Sequence, residues 1–421
     1  MLLSHKTTLQ LNPDELNILG HMCYAAYKLW NICNYERIHY KELDLADGAS
    51  YPNWYYQKKY HKSDLWYKQL PSQTAQEVCK QLDKAWKSFY VLQKTGNITN
   101  PQPPRFKHDG IAVTYMQNAI VHEEGSDIIR LSLSKQFKEY MSQTYGIDDN
   151  YLFLKNRIFK NVSHIKQIKI YPPVHNKCNV IVVYEVDDVE ILRDNGRYLS
   201  IDLGLHNLMT CYDSSNGRTF IVGRKYLSLC HYYNKEIARV QSQWYQQQDK
   251  HNVQHLKTSK HIRRLYLRKG NVINDYLHKV TRHLADYCKE NHIHTVVIGD
   301  MTNIRKNKNL GHVTNQKLHS LPFAKIYALL EYKLALYGIG FIKQNEAYSS
   351  QTSPLQPKVS KKNACKSNRK QRGLYKDGRC VWNADCVGAY NILRLYMDQH
   401  KKEGMAHLPE IAIPEVIKVA V

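Results

Sequence analysis

The chain has ten cysteines but no C-x-x-C pair. That spacing offers neither a disulfide framework nor a two-pair zinc ribbon, so reduced thiols are expected. Long apolar runs are missing too: no stretch approaches the ~20 residues of a spanning helix. The opening M-L-L-S-H-K-T-T-L-Q-L has no apolar signal core. A cytoplasmic protein with no membrane partner is the expectation. Acid is also short, with 37 Asp and Glu against 60 Lys and Arg, for a net +23. Such an excess goes beyond what solubility needs and points to a polyanionic partner, nucleic acid first. Phenylalanine is scarce, 8 against 32 Tyr, and Tyr suits surfaces that must stack and hydrogen-bond together.

What is present fits a folded protein of two or three domains: 421 residues, 43% hydrophobic. A strand over residues 5–12 precedes a helical pattern that begins at Pro13-Asp14-Glu15, and helices dominate to about residue 95. Three prolines in N-P-Q-P-P-R-F-K make a stiff connector from residue 100. Between 110 and 190 the pattern turns strand-like, with β-rich runs at 128–133, 165–171 and 179–186. Residues 197–213 and 218–223 read as three successive strands. Helices follow at 229–249 and 260–291, then strand T-V-V-I-G-D, a helix near 318–337, a strand at 338–347, a polar basic loop and a last helix from 384. Hairpin-linked strands followed by alternating helix and strand are the order of an RNase H-type α/β layer. The seventeen residues after Gly404 carry no motif.

Acids stand at the tips of these elements. Asp202 ends Y-L-S-I-D, Asp300 closes T-V-V-I-G-D, Glu346 follows the strand of 338–347, and Asp385 opens the last helix, where the dipole tolerates an anion. In an RNase H order the first and fourth strands are neighbours, so these carboxylates would converge. They would then repel one another unless cations neutralise them. Hard oxygen donors select Mg²⁺ or Mn²⁺, and two such ions ~3.5–4 Å apart can hydrolyse a phosphodiester. Surface candidates for nucleic acid are Tyr51, Asn53, Trp54, Tyr55, Gln73 and Gln76, since Asn and Gln read adenine edges. Arg105 and Lys107 on the connector, and Arg372 in the basic loop, are further candidates for nucleic-acid binding.

S-I-D-L-G, V-V-I-G-D-M-T-N-I-R, the P-P-R-F-K connector and R-G-L-Y…W-N-A-D-C-V-G-A-Y-N-I-L together resemble TnpB. This is the transposon-encoded RNA-guided nuclease related to compact type V CRISPR effectors. The resemblance implies a β-rich wedge-like domain over 1–12 and 100–195 and a helical recognition lobe over 13–99. It implies a RuvC-like nuclease over 196–421, with a helical insertion at 226–291 and a degenerate zinc-ribbon loop at 348–382. It further implies a prokaryotic, nucleoid-associated protein, a guide RNA from the transposon end, and Mg²⁺-dependent cutting of double-stranded DNA beside a short recognition motif.

Two departures mark this chain. Many members have a Glu before the Asp of the second motif, where this sequence has Gly299; Asp202, Glu346 and Asp385 are therefore the expected metal ligands, with Asp300 a fourth catalytic candidate. The ribbon interval holds only Cys365 and Cys380 and no His lies between 347 and 399, so a four-ligand zinc site is not expected. Two alternatives stand beside this one: a nuclease-dead RNA-guided repressor, which the missing glutamate at Gly299 and the lost ribbon would suit, and a DDE-type transposase built on Asp202, Asp300 and Glu346.

Overall fold

The computed structural model describes residues 1–96, 98–302, 311, 315, 321–371, 373–402 and 414–421. The chain divides into two compact units, Met1–Asp187 and Asp188–Val421. Arg372 lies outside the described residues, as does part of the helix expected near 318–337.

In the first unit β1 (Leu2–Gln10) leads into α1 (Pro13–Ile38), followed by α2 (Trp54–Tyr60), α3 (Leu65–Lys68) and α4 (Ser72–Thr95). The start of α1 is set locally: Asn12 and Glu15 form a reciprocal capping box and Pro13 sits at the first helical position. Strands β2 (Val113–Met116), β3 (Ile120–His122) and β4 (Ile128–Ser132) come next. Then follow α5 (Lys135–Tyr145), β5 (Tyr151–Lys155), β6 (Ile165–Ile170) and β7 (Lys177–Glu185). They build two antiparallel sheets, ordered β1-β7-β6-β2 and β3-β4-β5. Helices and sheets share one core, from Leu19 and Leu29 on α1 to Val180 and Val182 on β7. The proline connector is tied to α1. The Asn31 amide donates to Lys107 O at 2.8 Å and its carbonyl accepts from Lys107 N at 2.8 Å, while Asn34 donates to Pro104 O at 2.9 Å.

The second unit is built on β8 (Tyr198–Leu203), β9 (Met209–Asp213), β10 (Thr219–Val222), β11 (Thr295–Gly299) and β12 (Gly340–Gln344), with β16 (Glu415–Ile417) added at one edge. The sheet order is β12-β11-β8-β9-β10-β16. Strand β8 pairs antiparallel with β9 and parallel with β11, and β11 pairs parallel with β12. Helices α6 (Tyr226–Lys250), α7 (Lys260–Glu290), α8 (Phe323–Ala335) and α9 (Ala384–Gln399) complete the layers.

Strand periodicity sorts the side chains of β8 by face. Leu199, Ile201 and Leu203 join the core formed with α7 and α8, whereas Tyr198 packs with Tyr390, Leu393 and Tyr396 of α9. Ser200 also points to α9, donating to Ala389 O at 2.7 Å. By the same alternation Asp202 faces α9.

The basic loop is more ordered than its composition suggests. It folds into β13 (Arg369–Gln371), β14 (Leu374–Asp377) and β15 (Cys380–Asn383), an antiparallel sheet around Tyr375 and Trp382. The Tyr375 hydroxyl donates to Gln351 O at 3.0 Å. Strand β16 is equally unforeseen: it pairs parallel with β10 through Phe220–Glu415 to Val222–Ile417. No helix among the described residues is long and apolar enough to cross a membrane.

Candidate active site

A cleft of about 940 Å³ opens at one edge of the second unit's sheet, lined by Asp202, Asn207, Glu346, Asp385, Arg369 and Lys370 among others. Asp202 reaches it from the end of β8, Glu346 from two residues beyond β12, and Asp385 from the first turn of α9. Asn383 caps that helix, accepting from Asp385 N at 3.0 Å and Cys386 N at 3.2 Å. The cap fixes where Asp385 leaves the helix.

Two glycines make room for the acids. Gly388 lies in the helix interior, where glycine costs stability, and a Cβ there would stand 2.5 Å from Asp202 Oδ2. Gly299 does the same for Glu346, whose Oε2 occupies the space that a Cβ at 299 would need. The position without its glutamate is therefore the position into which Glu346 folds.

Burial first, then the charges of Glu346 and Asp385, raise the Asp202 carboxyl well above the usual carboxylate range, with Arg369 acting in the opposite direction. Asp202 thus senses the other two carboxylates across the cleft. Asp385 Oδ2 accepts from the Asn207 amide at 2.8 Å, and its Oδ1 lies 3.8 Å from Arg369 Nη2.

Asp300 is placed differently. Its Oδ1 accepts from the Thr302 N–H at 2.9 Å and from the Thr302 hydroxyl, and those two bonds hold its carboxyl below the usual range. It is exposed, and neither Asp202 nor Asp385 contributes to its shift.

The donor set suits a hard divalent cation, since half-buried like charges that face one cleft ionise together more readily with one between them. Among the described residues no three His, Cys, Asp or Glu side chains form a closed metal group. Cys365 and Cys380 are both exposed. Tyr375 and Trp382, two aromatic side chains, form the centre of the small sheet beside them.

In the first unit the surface candidates fall into two clefts. Tyr51, Asn53, Trp54 and Tyr55 line one of about 360 Å³ with Arg37, Trp86 and Tyr90. Gln73 and Gln76 line another of about 560 Å³ with Lys80 and Asn118. Asn53 Oδ1 is engaged as the cap of α2, accepting from Tyr55 N and Tyr56 N. Trp54 packs against Tyr55 with ring centroids 3.9 Å apart and planes tilted by 36°, and carries the Lys58 ammonium 4.7 Å from its ring. Lys107 Nζ lies 4.9 Å from the Trp30 ring, and Arg105 is exposed on the connector.

Sequence reasoning passed over Asn207 and Gly388. A glycine inside a helical pattern was a usable signal for the second; nothing in sequence marks Asn207, because its partner Asp385 lies 178 residues away.

Residues 181–305 match the OrfB_IS605 family model, described as "Probable transposase", and residues 323–392 match the Cas12f1-like TNB domain. The chain is TnpB-like. Among solved structures, a Cas12f1 in complex with sgRNA and target DNA is similar at 14% identity and a TM-score of 0.54, over 90% of this chain and 82% of that one. CasPhi-2 (Cas12j) bound to crRNA and phosphorothioate DNA is similar at 9% identity and a TM-score of 0.44, over 93% and 91%. No curated protein matches the TnpB-like chain in sequence.

Proposed function

We propose that this protein is an RNA-guided, divalent-metal-dependent DNA endonuclease whose second unit is an RNase H-like RuvC domain. The observation that carries the reading is the convergence of Asp202, Glu346 and Asp385 on one cleft that Arg224, Arg369 and Lys370 also line. Asp202, Glu346 and Asp385 would hold Mg²⁺ or Mn²⁺. When bound, the metal supplies an activated water and a charge that stabilises the leaving oxygen of the phosphodiester.

The chain's own residues do the rest. Arg369, Lys370 and Arg224 line the same cleft and offer cations to the backbone of one DNA strand. The Asn207 amide and the Asn383 cap hold Asp385 from either end. A guide RNA derived from the transposon end would read target sequence by pairing, while the first unit reads a short adjacent motif and duplex shape. In that unit Tyr51, Asn53, Trp54, Tyr55, Gln73 and Gln76, with Arg105 and Lys107 on the connector, are the proposed contacts. The wedge and recognition assignments of 1–12, 100–195 and 13–99 belong to the same proposal, as does Arg372 in the basic loop.

A DDE transposase would draw on Asp300, whose carboxylate is taken up by Thr302. A nuclease-dead repressor would have no use for the glycines that admit Asp202 and Glu346. The test is to sequence RNA that copurifies with the protein, then to supply Mg²⁺ and a library of guide-matched targets. Cleavage beside one short motif is expected, and it should vanish in Asp202→Ala. Equal cutting by that variant would sink the catalytic assignment.

A further inference from the structure

Among the described residues of the second unit, two side-chain polar atoms are buried without a hydrogen-bond partner, Asn207 Oδ1 and Thr210 Oγ1. Both belong to the β8–β9 hairpin that carries Asp202, and Thr210 is the cross-strand partner of Asp202. An orphaned buried acceptor costs about 1–3 kcal/mol, and such atoms call for an explanation when they sit beside a reacting centre. Asn207 lines the acidic cleft. Its turn is tightly closed, since its own carbonyl stands 2.7 Å from where a Cβ on Gly204 would be.

The two ends of the Asn207 amide have different surroundings. Its NH₂ donates to Asp385 Oδ2 at 2.8 Å; the remaining oxygen of Asp385 is the one that lies 3.8 Å from Arg369. A neutral donor orients a carboxylate without cancelling its charge, which a lysine or arginine in that place would do. An asparagine serving only to tie the hairpin to α9 would have no need of a buried, unmatched carbonyl.

We infer that Asn207 is a positioning residue of the metal site: its NH₂ donates to Asp385 and sets the orientation in which that carboxylate meets the bound divalent ion. This rests on the nuclease reading above and adds to it a residue outside the carboxylate set.

The test uses the full-length protein with its copurified RNA, with Mn²⁺ binding followed by electron paramagnetic resonance beside Mg²⁺ titrations of target cleavage. Loss of an outer-shell partner typically weakens metal affinity by about 10–100-fold. Asn207→Ala is therefore expected to raise both the Mn²⁺ dissociation constant and the half-maximal Mg²⁺ concentration by that factor, with RNA retention unchanged. A purely structural role predicts a lower melting temperature and unshifted metal titrations, and that result overturns the inference. Asn207→Asp removes the donor and adds a negative charge beside Asp385. It should bind Mn²⁺ at least as tightly as wild type while its maximal rate falls tenfold or more; wild-type cleavage by Asn207→Asp would also overturn the inference. Asp202→Ala tests the parent reading separately: if it binds Mn²⁺ and cleaves as wild type does, the nuclease site itself is wrong, whatever Asn207 does.

Discussion

Gly299→Ala adds one methyl group at the point where the site is tightest. Gly299 does not have a positive φ, so its backbone is open to alanine and the objection is spatial. The new Cβ would overlap Glu346 Oε2 and stand 3.1 Å from Ile392 Cδ1. To regain ordinary van der Waals contact the carboxylate must retreat by roughly 1 Å. A misplacement of that size in a catalytic group costs about 10²-fold in rate, equivalent to ~2.7 kcal/mol of transition-state stabilisation. Stability should move less. Overpacking costs ~1–3 kcal/mol, and exchanging a strand glycine for alanine returns ~0.5–1 kcal/mol. At about 2–4 °C per kcal/mol for a unit of this size, the melting temperature should fall by less than ~10 °C. The assay is single-turnover cleavage of a guide-matched plasmid at saturating Mg²⁺, beside thermal unfolding. A complementary double variant, Gly299→Glu with Glu346→Ala, moves the carboxylate to the neighbouring strand end and should cut better than either single variant. If Gly299→Ala cuts within about threefold of wild type, Glu346 is not the second acid and the spatial argument fails.

Other expectations follow from the same geometry. Burial and two neighbouring acids raise the folded-state pKa of Asp202, so the metal-free fold loses stability as pH rises from the ordinary carboxylate range through that raised value. Asp202→Asn should therefore melt higher than wild type at pH 8 in EDTA, and Mg²⁺ should stabilise only the wild type; equal melting in EDTA would refute the coupling. Asn391 is fully buried and donates to Ser349 O and Thr352 O, both at 2.7 Å, which pins the segment after Glu346 to α9. Asn391→Leu leaves two buried carbonyls unmet at ~1–3 kcal/mol each, so scanning calorimetry should show clear destabilisation and cleavage should fall with it. Against the opposing effect of burial, Lys402, the Gly196 N–H and Tyr198 hold the Asp194 carboxyl well below its usual range. That contribution is present at neutral pH and is lost as pH falls below ~4; Asp194→Asn should flatten the acid side of a melting-temperature profile, and an unchanged profile would refute it.

Much of the fold was legible locally because its causes are local. The box of Asn12 and Glu15 starts α1 at the expected residue, Ser259 caps α7 where its pattern begins, and the β-branched runs of β8 and β11 need no partner to be recognised. The small sheet around Tyr375 and Trp382 was hidden by the lysines and arginines that cover it. Strand β16 is three residues long and gains its identity from pairing with β10, a contact spanning nearly two hundred residues of sequence.

For the site, sequence by itself determined which residue types were available: an acid at the end of β8, another opening α9, a glycine where many TnpB proteins have a glutamate, and a large excess of positive charge. It could not decide between Asp300 and Glu346, because each stands near the end of its own strand and local pattern treats them alike. Tertiary structure separates them through space. Thr302, two residues on, takes up the carboxylate of Asp300, while Gly299 on the adjacent strand leaves the gap into which Glu346 folds. A hydrogen bond made two residues away and a missing side chain one strand over are short-range in three dimensions, but only the second depends on how the strands pair.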